Sequence, residues 1–367
     1  MTRGSSHPLA DDLDHVLDHT RGLWEELRGQ RIFITGGTGF VGCWLLETFA
    51  WANRHLALQA QAVVLSRNPA AFARKAPHLA KDPAITFHTG DVRNFDVPAG
   101  EFSHIIHAAT EVTGTLQERD PLAMFDTIVE GTHRVLELAR RRGTKRILLT
   151  SSGAVYGPQP PELSGFSETF AGAPDAVSVR SAYGEGKRAA ELLCALHAAQ
   201  YHLEPTIARC FTFIGPYLPL DGHLAIGNFI RDALRGGPIV VRGDGTPYRS
   251  YLYAADLAIW LWTILFRGAV AVPYNVGSEE ALPISGLARL AAEVIGGPVK
   301  VQIAQAAVPG KPAERYIPST ARAQAELRLS CHVDLRSAIR KTAAWAARAS
   351  ANPDETQLSR KAAKPQR

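Results

Sequence analysis

A glycine-rich turn between an apolar run and a helical pattern constrains this sequence more than any other feature. The segment Arg31–Thr35 predicts a β-strand, the motif GGTGFVG follows it, and Cys43–Trp51 has apolar residues at helical spacing. Glycines at such a turn let the backbone approach a pyrophosphate, and the helix start offers free N–H groups and a positive dipole end. The junction therefore predicts a strand–turn–helix unit that binds a dinucleotide. The residues expected at the phosphates are Gly36, Gly39, Phe40, Val41 and Gly42.

Apolar runs of strand length alternate with helical patterns after this turn. The predicted strands are Ala62–Ser66, Ile85–His88, His104–His107, Arg146–Ser151 and Thr206–Cys210, and the predicted helices include Met124–Arg142 and Tyr183–Tyr201. Such alternation is typical of a parallel sheet with helices on both faces. We therefore predict an α/β protein, in which a doubly wound Rossmann-type sheet is accompanied by a smaller C-terminal α/β region that binds the substrate.

The same pattern divides the chain into four parts. Residues 1–29 predict an N-terminal helical extension, packed outside the main fold as one or two amphipathic helices. Residues 30–215 predict the dinucleotide-binding domain with the catalytic residues. Residues 216–345 predict mainly the substrate-binding region, from which 249–277 returns to the Rossmann sheet. The polar residues 351–367 predict a disordered tail.

Composition and charge exclude several classes of protein. With 46% hydrophobic and 20% charged residues the chain is typical of a globular protein and not of a disordered one. The net charge of +5 comes partly from the basic C-terminal run, so it is weak evidence for nucleic acid. The apolar run 254–266 is shorter than the roughly 20 residues of a membrane span. Four separated cysteines without metal-ligand spacing predict reduced thiols and no metal site. We expect a soluble cytoplasmic protein that binds neither nucleic acid nor membranes.

Three residues form a candidate catalytic group. Tyr183 and Lys187 are four positions apart at the start of a predicted helix, so their side chains lie on one face. A neighbouring ammonium and a positively charged nicotinamide ring favour the phenolate, which makes Tyr183 a credible acid/base. Ser152 follows a predicted strand, at the sheet edge where doubly wound folds bind ligands. We expect Ser152 to hold a substrate oxygen against the Tyr183 phenol.

The end of the second predicted strand bears on the choice between NAD and NADP. Enzymes that use NAD usually present an acid to the adenosine ribose there, but this chain has Arg67. Arg67 can pair with the 2′-phosphate of NADP, stack on the adenine or remain a solvated surface residue. Asp91 and Val92, after the third strand, are interpreted as the adenine edge, although an Asp also suits an ordinary turn. The cofactor is therefore written NAD(P).

Further motifs follow in the order found in one family. They are TGGTGFVG at 35–42, GDVRN at 90–94, HAATE at 107–111, TSSGAVYG at 150–157, YGEGK at 183–187, ARCFTFIGP at 208–216, GNFI at 227–230, RGDGTPYRSYLY at 242–253 and YNVGS at 274–278. In these motifs the chain resembles the extended short-chain dehydrogenases/reductases, specifically their nucleotide-sugar epimerases, dehydratases and decarboxylases. The resemblance implies a nucleotide-sugar substrate, slightly favours NAD over NADP, and implies a homodimer built from two helices per subunit. It implies further contacts to the cofactor from Ala108, Ala109 and Thr110, and to the substrate from Thr212, Asn228 and Arg249.

Two positions depart from the dehydratases and decarboxylases that the chain resembles. Those enzymes carry Glu two residues after the catalytic hydroxyl, often preceded by Asp in the dehydratases, whereas this chain has Gly153 and Ala154. The epimerases tolerate small residues there. We therefore expect an epimerase that acts through a transient keto sugar, unless Glu111 or Glu185 supplies the missing carboxylate.

Other interpretations stay open at this point. Within the enzymes they are a 4,6-dehydratase with an unusual carboxylate and an NADPH-dependent keto-sugar reductase, which Arg67 favours. Outside the enzymes, the chain can be an NAD(P)-binding regulator, although the set of Ser, Tyr and Lys argues against it. Several residues can also have purely structural roles. Arg249 can pair with an acid of its own domain, and Asp256 is interpreted as a helix cap. The side chains interpreted as simply buried are Cys210, His107 and His223.

Overall fold

The computed structural model describes residues 7–110 and 120–351. Glu111 and residues 352–367 of the expected tail lie outside this part. The strands are β1 (Arg31–Thr35), β2 (Gln61–Ser66), β3 (Ile85–Thr89), β4 (His104–His107), β5 (Arg146–Ser152), β6 (Glu204–Cys210), β7 (Phe213–Ile214), β8 (Ile239–Val241), β9 (Tyr248–Arg249), β10 (Leu252–Tyr253), β11 (Pro273–Val276), β12 (Leu282–Pro283), β13 (Val301–Ile303) and β14 (Arg315–Tyr316).

Helices occupy most of the segments between these strands. They are α1 (Ala10–Thr20), α2 (Phe40–His55), α3 (Pro69–Lys75), α4 (Pro77–Ala80), α5 (Pro121–Arg141), α6 (Ala182–Tyr201), α7 (Ala225–Leu234), α8 (Ala254–Arg267), α9 (Ile284–Ile295), α10 (Ala321–Leu327) and α11 (Leu335–Ala351), with 3-10 turns at Arg21–Leu27, Gly153–Tyr156 and Val179–Ser181. Helix α11 includes Ala351, where the tail was expected to begin. Among the described helices, none is both long enough and apolar enough to cross a membrane.

The main sheet confirms the predicted fold class. Within the described residues seven strands pair in the order β11-β6-β5-β4-β1-β2-β3, and each pair is parallel. Because alternate side chains of a strand point to opposite faces, both faces of this sheet can be buried. Ile32 and Ile34 belong to a core that includes residues of α2 and α8. Phe33 belongs to a second core that includes residues of α5 and α6.

The N-terminal segment is helical, but the expectation that it packs outside the main fold is wrong. Leu13, Val16 and Trp24 are fully buried and belong to the same core as α2 and α8. The Trp24 ring lies 4.6 Å from that of Trp262 in α8. The physical reason is α8 itself, which is buried along its whole length from Ala254 to Phe266. A helix that is apolar on every side needs cover on every side.

The C-terminal part of the chain forms three small sheets in the described residues, namely β7 with β10, β8 with β13, and β9 with β12 and β14. The sequence predicts that the whole segment 249–277 returns to the main sheet. Within that segment, however, β11 is the one strand that joins it. The first part of this segment is divided between two of the small sheets, with Arg249 in β9 and Leu252–Tyr253 in β10. Asp256 does not cap α8: its Oδ2 accepts hydrogen bonds from the backbone N–H groups of His332 and Val333, each at 3.0 Å.

Candidate functional site

A cleft opens at the carboxyl edge of the main sheet, where the strand order reverses. The chain leaves β1 toward β2 and β3 and later returns to its other side with β4. Doubly wound sheets bind ligands outside the strand ends at such a reversal. The predicted residues that line this cleft are Gly36, Gly39, Phe40, Val41, Gly42, Arg67, Asp91, Val92, Ala108, Ala109, Thr110, Ser152, Tyr183 and Lys187.

The glycine turn is packed so tightly that two of its positions admit no side chain. Gly36 has a φ of +72°, and a Cβ there would lie 2.3 Å from the carbonyl oxygen of Ala108. A Cβ at Gly42 would lie 2.2 Å from the carbonyl oxygen of Gly36. A Cβ at Gly39, which precedes the first turn of α2, would meet only Gly36 O, at 3.4 Å. The turn thus brings bare backbone and a helix start to the cleft, which is the arrangement that a pyrophosphate needs.

The residues expected near the adenosine lie at the far end of the cleft. Arg67 and Asp91 both line it, after β2 and β3. The Asp91 carboxylate is held by Arg93, with Nε 2.9 Å from Oδ1 and Nη2 3.1 Å from Oδ2. This hydrogen bond lowers the pKa of Asp91, so the carboxylate stays ionised. Lys75, which the sequence did not single out, donates from Nζ to the Thr38 carbonyl of the glycine turn at 2.9 Å.

The candidate catalytic group comes together from two elements, β5 and α6. Ser152 ends β5, and its Oγ accepts a hydrogen bond from the backbone N–H of Ala154 at 3.1 Å. Tyr183 and Lys187 lie in the first two turns of α6, which packs against β5. Burial raises the pKa of Tyr183 to about 12, and a hydrogen bond with Ser152 offsets part of that rise. The protein alone therefore holds Tyr183 as a neutral phenol.

Lys187 is the buried cation of this site. Its Nζ donates to Thr110 Oγ1 and to the Thr150 carbonyl, both at 2.7 Å, and lies 6.0 Å from the centre of the Tyr183 ring. Burial lowers the pKa of Lys187 to about 8. The ammonium is thus fixed by the ends of β4 and β5, within reach of a ligand that also touches Tyr183.

A partly buried ion pair supports the strand that carries Ser152. Glu191, one helical turn after Lys187, accepts hydrogen bonds from Ser151 Oγ and, through Oε2, from Arg209 Nη2 at 2.7 Å. Arg209 also donates to the Tyr156 hydroxyl at 2.9 Å. Because its lone pairs are occupied in this way, Glu191 holds the backbone of the site in place and is not a spare acid.

Gly153, where the dehydratases often carry Asp, is closed in by aromatic rings, and the position of their Glu is Ala154. A Cβ at Gly153 would lie 2.6 Å from Cζ of Phe211 and 2.7 Å from the hydroxyl oxygen of Tyr316. Among the described residues that line the cleft, Asp91 is the one carboxylate. Glu185, considered as a substitute, forms an ion pair with Arg188 at 3.5 Å on α6 and does not line the cleft.

The three predicted substrate residues do not line the cleft. Thr212 is buried. The Asn228 side chain donates to the carbonyls of Gly222 and Leu224, at 3.0 and 3.2 Å, and so holds the loop that borders the cleft. Arg249 donates to the Tyr248 carbonyl at 2.8 Å, and its Nη2 lies 3.8 Å from Glu314. It therefore pairs with an acid of its own domain, which is the structural alternative that the sequence analysis left open.

Some residues of the site were not foreseen. Tyr316 reaches Ser152 from β14, with 3.5 Å between the two hydroxyl oxygens. Cys210 and His223, interpreted as buried structural residues, both line the cleft. The position of Cys210 could have been inferred, because it is the last residue of the expected strand β6 and therefore lies at the carboxyl edge of the sheet. Nothing in the sequence pattern links Tyr316 to Ser152.

Comparison with known proteins identifies the family. Residues 32–277 match the model of the NAD dependent epimerase/dehydratase family. UDP-glucuronic acid decarboxylase 6 of Arabidopsis thaliana is 31% identical over 312 residues, which cover 84% of this chain and 86% of that protein. UDP-glucuronic acid decarboxylase 2 of the same plant is 32% identical over 270 residues, and this match covers 73% of the chain but only 58% of the relative.

Solved structures agree on the fold. An epimerase from Methanothermobacter thermautotrophicus superposes with a TM-score of 0.75 at 22% identity, over 97% of this chain and 99% of the other. The UDP-glucuronic acid 4-epimerase of Bacillus cereus, in complex with UDP-glucuronic acid and NAD, gives 0.73 at 21% identity, over 87% and 99%. The resemblance inferred from the motifs is confirmed. The chain belongs to the NAD-dependent epimerase/dehydratase family of enzymes.

Proposed function

We propose that this enzyme epimerises a nucleotide-activated sugar through a transient keto sugar, with NAD as the cofactor. The observation that carries the proposal is the composition of the cleft around Ser152. Tyr183 and Lys187 stand beside it, while the two positions that carry acids in the dehydratases are Gly153, packed against Phe211 and Tyr316, and Ala154. Among the described residues, a site with one proton carrier and no carboxylate beside Ser152 suits oxidation and re-reduction at a single carbon.

The residues of the chain divide the proton chemistry among them. Ser152 holds the reacting hydroxyl of the sugar, and Tyr183 takes its proton as the carbon is oxidised. NAD, when bound, would supply a hydride acceptor for the oxidation and a hydride donor for the reduction of the ketone. Tyr183 then gives the proton back to the new alkoxide. The positive charge of Lys187 favours the phenolate of Tyr183 once a bound ligand contacts both the phenol and the ammonium.

The glycine turn fits the cofactor, since Gly36 and Gly42 keep side chains out of the space that the backbone needs. Arg67 lines the same cleft after β2, where it suits either a 2′-phosphate or the adenine face. We assign NAD because the family is NAD-dependent, and we assign Arg67 to the adenine. Tighter binding of NADP than of NAD would reverse both assignments and favour the reductase.

The same proposal assigns a binding role to each of two parts of the chain. Residues 30–215 bind the cofactor, and residues 216–345 mainly bind the nucleotide sugar. Arg249 contacts the diphosphate by leaving Glu314, an exposed residue that holds it only loosely at 3.8 Å. Asn228 acts through the loop whose carbonyls it holds, and Thr212 acts from its buried position between β6 and β7.

The experiment is to incubate the enzyme with single nucleotide sugars, UDP-glucuronic acid first, and to follow mass and stereochemistry of the product. An epimerase leaves the mass unchanged, inverts one carbon and consumes no added cofactor. Loss of water identifies a dehydratase, loss of carbon dioxide a decarboxylase, and stoichiometric use of NADPH a reductase. Each of these three results would overturn the proposal, as would cofactor binding without turnover across the panel, which is the behaviour of a regulator.

We also infer a homodimer that assembles through α5 and α6. These helices pack together and leave Leu122, Leu192 and Leu196 exposed, at 68%, 60% and 44%. Light scattering after gel filtration tests this: Leu192→Asp should give monomers, whereas Leu234→Asp on α7 should not.

We place the protein in the cytoplasm. The support is that Cys43, Cys194, Cys210 and Cys331 are all free thiols.

A further inference from the structure

Two histidines of α1 and one from the loop before α11 meet on the surface that these segments form. They are His15, His19 and His332. Each offers one ring nitrogen, and the three nitrogens lie within 4.8 Å of one another. The rings of His15 and His19 are 4.3 Å apart, and those of His19 and His332 are 4.2 Å apart. None of the three lines the cofactor cleft.

A buried carboxylate lies directly behind this group. The Asp256 side chain is completely buried, and its Oδ1 is 3.7 Å from His15 Nε2. Within the described residues neither of these two atoms has a hydrogen-bond partner. The other oxygen, Oδ2, holds the backbone N–H groups of His332 and Val333. A buried carboxylate oxygen without a partner is costly, and a nearby cation offsets that cost.

The hydrogen bonds also fix which nitrogen is available on one ring. His19 Nδ1 lies 2.8 Å from the His15 carbonyl oxygen. A carbonyl can only accept, so Nδ1 carries the proton and Nε2 keeps a lone pair. His15 can likewise donate from Nε2 to Asp256 after a small rotation and present its other nitrogen. Histidines that bind metals usually donate their second N–H to a carbonyl or a carboxylate in this way.

We propose that His15, His19 and His332 bind a divalent transition-metal ion of the zinc class, with Asp256 as the positioning residue behind His15. Zinc–nitrogen distances of 2.0–2.1 Å in a tetrahedral site require nitrogens about 3.3 Å apart. The three imidazoles reach that spacing by side-chain rotation alone, because His19 and His332 are exposed. The ion ties α1 to the loop that precedes α11, and it takes no part in turnover.

A second group of possible ligands is less suited to a metal. His7 and His78 both contact Glu47, but the Glu47 carboxylate already accepts hydrogen bonds from His78 at 2.8 Å and from the Tyr217 hydroxyl. Both of these bonds go to Oε1, and Oε2 lies 3.3 Å from His7 Nε2, so both oxygens are in use. His78 provides a control residue, because it belongs to a histidine group that the proposal leaves without metal.

The test uses the full-length chain without a histidine tag, stripped with a chelator and titrated with Zn²⁺ against a chromophoric chelator. Co²⁺ in place of Zn²⁺ reports the geometry through its visible absorption. We expect one equivalent to bind and to raise the melting temperature. His19→Gln and His332→Gln should weaken binding by more than the roughly 10–100-fold that loss of an outer partner costs, and Asp256→Asn should weaken it within that range.

The control variants His78→Gln and His133→Gln should bind Zn²⁺ as the wild type does. Absence of stoichiometric binding in the wild type would overturn the proposal. So would binding that survives in His19→Gln and His332→Gln, or that is lost in His78→Gln instead. Because binding is measured without substrate, the result is independent of which reaction the enzyme catalyses.

Discussion

The hydroxyl of Tyr316 lies 3.5 Å from Oγ of Ser152, although 164 residues separate them in the chain. Ser152 ends a strand of the main sheet, whereas Tyr316 belongs to a short strand of a peripheral sheet. Ser152 therefore lies where the main sheet meets a peripheral sheet. Burial raises the pKa of Tyr316, so this second phenol stays neutral next to Tyr183. The small residue at position 153 makes the approach possible.

Replacement of Gly153 by alanine should damage the site specifically. Its φ is not in the left-handed region, so the backbone tolerates alanine, but the new Cβ would lie 2.6 Å from Phe211 and 2.7 Å from Tyr316. We expect overpacking of about 1–3 kcal/mol and a clear loss of turnover as Tyr316 is pushed away from Ser152. Urea unfolding and initial rates measure the two effects. Gly243→Ala, which has open space around its Cβ, is the control and should change neither.

The pH dependence of turnover should report Lys187. Burial lowers its pKa to about 8, so above that pH the ammonium loses its charge and no longer favours the Tyr183 phenolate. We expect kcat/KM to fall on the alkaline side with a midpoint near pH 8. Thr110→Val removes a hydrogen-bond acceptor of the charged form and should move this midpoint to lower pH. A pH profile that is unchanged in Thr110→Val would contradict this role of Lys187.

Tyr183→Phe should separate catalysis from cofactor binding. The variant keeps the ring in its buried place and removes the hydroxyl that carries the proton. We expect turnover to fall roughly 10²–10⁴-fold, while NAD affinity, measured by calorimetry, stays within a few-fold of the wild type. Turnover at the wild-type rate would assign the proton transfer to another group.

Much of the fold and part of the site could be predicted because their signals are local. The turn at Gly36 and the pair Tyr183 and Lys187 depend on residues a few positions apart, and alternation of strands and helices dictates a parallel sheet. The position of α1 could not be predicted from its own amphipathic pattern, which says that one face is buried but not against what. The signal lay elsewhere, in the wholly apolar helix α8.

Contacts between distant segments escaped prediction for the same reason. Neither the approach of Tyr316 to Ser152 nor that of His332 to His19 leaves a periodic trace. The spacing of His15 and His19, four residues apart on one helix, was a local signal that the sequence contained. The pair becomes a candidate metal site only in the folded structure, where His332 lies beside it.

The N-terminal segment should be essential for stability. Trp24 is fully buried against Trp262, and its indole N–H donates to Thr20 Oγ1 at 2.9 Å. Trp24→Ala should therefore lower the free energy of unfolding by about 3–5 kcal/mol. The neighbouring Leu23 is only partly buried, so Leu23→Ala should cost less. A loss in Trp24→Ala that is small and no larger than that in Leu23→Ala, measured by urea unfolding, would return the segment to the role of a surface extension.

Acid should destabilise the protein through His107, which is buried beneath the cleft. Its Nδ1 lies 2.7 Å from Thr35 Oγ1, and its Nε2 lies 3.1 Å from Thr132 Oγ1. Burial, with a contribution from the Lys187 charge, lowers the pKa of His107 to about 3, whereas the unfolded chain keeps a value near 6.5. Between these two values the unfolded state binds a proton that the folded state excludes, so the free energy of unfolding falls as the pH falls.

The size of this effect follows from the same two pKa values. Each pH unit within the window costs up to about 1.4 kcal/mol, which amounts to about 2 kcal/mol between pH 6.5 and pH 5. His107→Gln keeps hydrogen-bonding atoms but does not titrate, so its free energy of unfolding should depend less on pH by that amount. Urea unfolding at pH 7, 6 and 5 measures both proteins, and other titrating groups cancel in the difference. Parallel curves for the two proteins would mean that His107 already holds its proton in the folded state.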